Sequence, residues 1–175
     1  MVQPQRKPTR LASFNYNSPG AYFLTICTHN RTNLLCRIVG GGPLDAPTVV
    51  LSTAGTVAQQ CLLSGNRLPG MHIDKYVIMP NHIHLIVLID DTVVKDTSPA
   101  NARIPHFIST FKRFCHKQLK AKIFQRSYHD HVIRNEKDYL AIWEYIDNNP
   151  AKWAEDCFYD ASPTVWPGPS CPSYP

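Results

Sequence analysis

Apolar residues fall into runs separated by turn-forming residues, and the runs differ in kind. Residues 21–28 (AYFLTICT) are aromatic and β-branched, which predicts a strand. Residues 36–51 enclose GGGP at positions 40–43, so short strands are expected around a flexible turn. Ser52 or Thr53 can cap a helix running to about Ser64, with Val57, Cys61 and Leu62 on its buried side. Residues 72–79 and 82–89 predict two strands. They are joined by Pro80 and Asn81, and a turn that short makes the pair a hairpin.

Residues 102 to about 122 predict a helix. Phe107, Ile108, Phe111, Phe114 and Leu119 recur near one stripe, and Lys112, Arg113, His116, Lys117 and Lys120 take the other positions. These bases suit either a solvated face or a surface that tracks phosphates. Residues 129–134 (HDHVIR) predict a short strand. Asn135, with Asp138 three residues on, caps a last helix that runs to Asn148 or Asn149, where Pro150 stops it. The prolines beyond Asp160 forbid regular structure. Strand, helix, two strands, helix, strand and a further helix make an α+β protein. The expected fold is a ferredoxin-like or RRM-like antiparallel sheet with helices on one face plus a C-terminal helix. The expected organisation is a basic arm over 1–20, one domain over 21–153 and a Pro-rich tail over 154–175.

Composition narrows this only slightly. A chain of 175 residues with 43% hydrophobic content suits one ordinary domain. The apolar run at 85–89 is far too short to cross a bilayer, and no signal-peptide segment follows the basic N-terminus, so a cytoplasmic protein is expected. Its six cysteines include no CxxC pair, which argues against a zinc knuckle. A net charge of +5 is a modest lean toward anionic partners.

The chemistry is concentrated in MPNHIHLIV, residues 79–87. Side chains alternate along a strand, so His82 and His84 point the same way, about 6–7 Å apart, and can converge on one metal ion. Two surface histidines on an open sheet face would give the same pattern. The pair is expected to face away from the core and to carry little packing, so that replacing either leaves the fold intact. In AIWEYIDNNP, residues 141–150, Tyr145 and Asn149 share a helical face, which would put a hydroxyl and an amide oxygen together. A tyrosine beside a metal-bound phosphate is a nucleophile, while helical spacing alone also suits a core aromatic. His129 and His131 form a rival H-x-H pair. Tyr139 is a rival nucleophile, roughly 240° around the helix from Tyr145.

YVIMPNHIHLIVLI at 76–89 and RSYHDHVIRNEKDYLAIWEYIDNNPAKW at 126–153 resemble the single-tyrosine HUH transposases. Within these, the chain most resembles the REP-associated tyrosine transposases. RLASFNYNSPGAYFLTICTHNR at 10–31 is similar to that family's first strand and its lead-in. The resemblance spans roughly residues 10–153. Phe124 stands where the family often has Trp, and little of the family pattern remains after Trp153. The resemblance implies that His82 and His84 are the metal-binding pair, that Tyr145 is the catalytic tyrosine and that Asn149 completes the metal site.

It further implies cleavage and rejoining of single-stranded or hairpin DNA through a 5′-phosphotyrosine link, with a divalent cation, Mg²⁺ or Mn²⁺. Two imidazoles suit Mn²⁺ better. Lys112, Arg113, Lys117 and Lys120, with Arg6, Lys7 and Arg10 of the arm, are candidates for phosphate contacts. Tyr22 or Tyr76 could stack on bases, although a core role suits each better. The protein would act as a monomer or a homodimer. Two other readings use the same residues: a metal-dependent phosphodiesterase with no covalent step, and a non-catalytic module that binds single-stranded nucleic acid.

Overall fold

The computed structural model describes residues 18–41, 45–90 and 102–162. Among these residues, β1 (Gly20–Cys27), β4 (Met71–Ile78), β5 (His82–Ile89) and β6 (His129–Ile133) form one antiparallel sheet in the order β4-β5-β1-β6. β2 (Cys36–Val39) and β3 (Thr48–Leu51) pair separately beside it. Taking only the four strands of the main sheet, the third in sequence lies between the first and the second, which is the ferredoxin-like arrangement. The hairpin expected around Pro80 and Asn81 is the β4–β5 pair, closed by the Met79 N–H donating to the His82 carbonyl.

Two helices cover one face of the sheet. α1 (Thr53–Leu63) starts at Ser52, whose hydroxyl accepts from the Gly55 N–H at 3.0 Å. α2 (Arg103–Leu119) buries Ile104, Phe107, Ile108, Phe111, Cys115 and Leu119 against Leu24, Ile26, Ile83, Leu85 and Val87. At 100° per residue Phe114 falls at the edge of that stripe and Cys115 at its centre. Phe114 is therefore exposed rather than buried as the spacing predicted. Tyr22 is fully buried in this core, and Tyr76 packs on its margin, its hydroxyl accepting from Gln59 Nε2 at 3.1 Å.

α1 approaches the loop before β2 so closely that only glycine fits at one point. A Cβ on Gly55 would lie 1.9 Å from the Leu35 carbonyl oxygen, which itself accepts from the Ser52 N–H. Gly55→Ala is therefore expected to cost about 2–4 kcal/mol, lowering Tm by roughly 5–15 °C, as thermal melting would show.

α3 (Glu136–Asn148) lies on the opposite face, over Phe23, Val77, Ile86 and Ile133. Asn135 caps it, its side chain accepting from the Asp138 N–H at 2.9 Å as the spacing anticipated. Apolar burial on this helix is slight, since among its residues only Ile146 is fully buried. Polar contacts to β4 supply the rest. The register of β4 shifts between Ile73 and Lys75, and this bulge lets neighbouring residues reach the same helix. Asp74 accepts from the Tyr139 hydroxyl, while Lys75 pairs with Asp147 and lies over the Trp143 ring. No helix among the described residues is long and apolar enough to cross a membrane.

Candidate active site

His82 and His84 lie on the α3 face of β5, paired with Cys27 and Thr25 of β1. Their ring centroids are 4.4 Å apart. The expectation that they carry little packing is wrong: His82 is 0% and His84 2% exposed. The sheet face is roofed by α3 and by the chain that follows it. Phe158 lies 4.8 Å from the His82 ring and 6.4 Å from that of His84, and Trp153 lies 6.0 Å from His82. Burial pushes both imidazoles down to about 3, with the Arg31 charge acting further on His82 and the neighbouring His82 on His84. Both rings are therefore neutral at physiological pH, the form in which a nitrogen can donate to a metal.

The hydrogen bonds also decide which nitrogen is available. The Asn81 side-chain NH₂ donates to the Arg31 carbonyl at 3.1 Å and to the Phe158 carbonyl at 2.7 Å. Its Oδ1, 2.9 Å from His82 Nδ1, must then be the acceptor. His82 thus carries its proton on Nδ1, leaving a bare lone pair on Nε2, which is buried without a hydrogen-bond partner among the described residues. His84 is anchored by the Thr25 hydroxyl, which lies 2.9 Å from its Nδ1.

Tyr145 reaches this pair from α3, its hydroxyl 3.2 Å from His84 Nε2. Asn149, one turn later, is 3% exposed; its Nδ2 donates to Asp156 Oδ2 at 3.2 Å, and its Oδ1 is buried with no partner among the described residues. Asp156 is the residue that spacing did not reveal. Its carboxylate, His82 and His84 offer ligand atoms that all lie within 4.8 Å of one another. It comes from the turn beyond α3, in the stretch read as tail, where no periodicity points at a site. Burial, with the Asp156 carboxylate adding to it, holds the Tyr145 phenol above its ordinary pKa. Two neutral imidazoles, a carboxylate and an unpartnered amide oxygen on one buried spot fit a divalent cation. The spot opens on a cleft of about 590 Å³ lined by Ala141, Glu144, Tyr145, Asn149, Asp156 and Cys157.

The rival groups are engaged elsewhere. His131 pairs with Asp138 at 2.9 Å, and His129 is exposed. The hydrogen bond to Asp74 pushes the Tyr139 phenol up to about 12, with burial adding a smaller push. The bases of α2 lie in the layer across the sheet from His82 and His84. Lys112 sits on the rim of the buried stripe and donates to the carbonyls of Gln125, Arg126 and Ser127. Arg113, Lys117 and Lys120 are exposed. Arg6, Lys7 and Arg10 lie outside the described residues.

A Haemophilus influenzae (strain ATCC 51907 / DSM 11121 / KW20 / Rd) protein, described as an uncharacterized protein, is 33% identical over an alignment 173 residues long, gaps included, that covers 88% of this chain and 93% of that protein. The chain belongs to the same family as that protein. No protein-family model matches it. A second relative is the REP-associated tyrosine transposase of Escherichia coli (strain K12), 26% identical over 137 residues that make up 78% of this chain and 70% of that one. The fold is that of a solved REP-associated tyrosine transposase bound to a REP hairpin, with a TM-score of 0.53 and 24% identity over 87% of this chain and 74% of the other.

Proposed function

We propose that the protein is a transposase-type nuclease that cleaves and rejoins single-stranded or hairpin DNA, with Tyr145 as nucleophile. The observation that carries this reading is the Tyr145 hydroxyl 3.2 Å from His84 Nε2, beside the unpartnered His82 Nε2 and Asn149 Oδ1. The similarity to transposases in sequence and in fold supports the same reading.

His82, His84 and Asp156, with the Asn149 amide oxygen, would hold the cation, a donor set that suits Mn²⁺ better than Mg²⁺. A divalent cation on these donors would polarise the scissile phosphate and supply the positive charge that favours the ionised phenol. The chain's own residues do the rest. Asn81 holds His82 in the ligand tautomer, and Thr25 anchors the His84 ring. Asn149 and Asp156 fix each other at the end of α3. Tyr145 Oη forms a bond to phosphorus, the bond from phosphorus to the 3′-oxygen breaks, and a 5′-phosphotyrosine and a free 3′-OH result. The phenol proton leaves through the open cleft to bulk water, and the 3′-oxygen takes up a proton. Attack by another 3′-OH reverses the step and joins new strands, so no nucleotide triphosphate is needed. Arg113, Lys117 and Lys120, across the sheet, would hold DNA outside the cleavage centre.

Incubation with single-stranded hairpins from the flanks of the gene, with Mn²⁺ or Mg²⁺, is expected to give a covalent protein–DNA adduct. A fully paired duplex of the same sequence is expected to give none. Cleavage without any adduct would point to the phosphodiesterase reading instead. Binding without cleavage, unaffected by loss of both histidines, would point to a binding module.

A further inference from the structure

We infer that Arg31 is a phosphate-binding residue that holds the DNA backbone beside the cleavage centre. This rests on the DNA-cleaving reading above and names a side chain which that reading does not use.

Arg31 follows β1 in a turn with an unusual backbone. Asn30 and Arg31 have φ of 53° and 54°, two successive non-glycine residues in the left-handed region. Such residues persist only where the surroundings over-determine them, and they gather at functional sites. Here the surroundings are fully buried polar groups. The Thr28 hydroxyl lies 2.8 Å from the Thr32 carbonyl and 3.0 Å from that of Asn81, and the Asn81 NH₂ donates to the Arg31 carbonyl at 3.1 Å. Thr28 and Asn81 are both 0% exposed. The same Asn81 amide sets the tautomer of His82. One buried side chain therefore positions both the Arg31 turn and an imidazole of the metal site.

The guanidinium is placed by the same segment that roofs the site. Its Cζ lies 4.7 Å from the centroid of Phe158, whose ring also packs on His82. Stacking uses the flat face of a guanidinium and leaves its N–H edges free. The ion pairs among the described residues are Lys75 with Asp147 and His131 with Asp138, so no carboxylate neutralises Arg31 there. A residue needed only to cover Phe158 would not require a charge or a strained turn. An exposed planar fork of donors over Phe158, with no carboxylate partner among the described residues, suits a phosphodiester anion.

The test uses the full chain. Arg31→Gln and Arg31→Lys are compared with wild type for binding of a fluorescein-labelled single-stranded DNA from the gene's flanks, across a salt series. Arg31→Gln is expected to weaken binding about 10-fold and to reduce the slope of log K against log salt by about 0.7, the loss of one single-strand phosphate contact. Tm should be unchanged. Arg31→Lys should restore the slope but only part of the affinity, because it keeps the charge and loses the fork. Unchanged affinity and slope in Arg31→Gln would overturn the inference. In wild-type protein, inorganic phosphate is expected to shift the Arg31 Nε–H NMR resonance, and no shift would also overturn it. This second measurement stands without DNA. If wild type binds no single-stranded DNA while phosphate still moves Arg31, the DNA reading fails and the anion site survives.

Discussion

Tyr145→Phe is expected to abolish the covalent protein–DNA adduct and to lower cleavage by at least about 10³-fold. The substitution removes one oxygen and keeps a ring that is 43% exposed. The hydrogen bond it deletes is a 3.2 Å contact to His84 Nε2, and His84 keeps its second anchor at Thr25. The change in Tm should therefore stay within about 2 °C. Binding of single-stranded DNA should persist, because no phosphate-binding cation has been removed. Gel detection of the adduct, thermal melting and DNA binding separate these outcomes. A phenylalanine variant that still cleaves would refute the nucleophile. Peptide mapping of the wild-type adduct gives an independent check, since the nucleotide should sit on the peptide holding Tyr145. Tyr139, bound to Asp74 on the β4 side, and Tyr128, 8% exposed, are the wrong places to find it.

His82→Ala is expected to act on both chemistry and stability. An open-face histidine could be removed at little cost, but His82 is fully buried under Phe158 and Trp153. Its loss leaves a cavity and takes away the hydrogen-bond partner of the Asn81 Oδ1. Together these should cost about 2–4 kcal/mol, lowering Tm by roughly 5–15 °C. Mn²⁺ binding, followed by calorimetry below the new Tm, should weaken by more than about 10-fold, and cleavage should be lost. A variant that binds Mn²⁺ as wild type does would remove His82 from the metal site. A variant with the wild-type Tm would contradict the packing described for this face.

The elements were readable because their signals are local. The Pro80-Asn81 turn between two apolar runs, the Asn135 cap with Asp138, and the apolar spacing on α2 all act within a few residues. The common direction of His82 and His84 follows from strand alternation, and the common face of Tyr145 and Asn149 from helical spacing. Alternation says which way a side chain points but not what covers it. The burial of both histidines depends on Phe158 and Trp153, which return to the sheet because Asn81 and Asn33 hold the later chain, Asn81 donating to the Phe158 carbonyl and Asn33 to those of Asp160 and Ser162. Asp156 is held to Asn149 from a turn, and Arg31 to Asn81 from a loop, neither with a period to betray it. The pattern of the chain was thus enough for the layers and for the pair of imidazoles. The roof over the site, and the orientation of the Asn81 amide that fixes the His82 tautomer, come from hydrogen bonds between residues 50 to 129 positions apart, a separation no local pattern encodes.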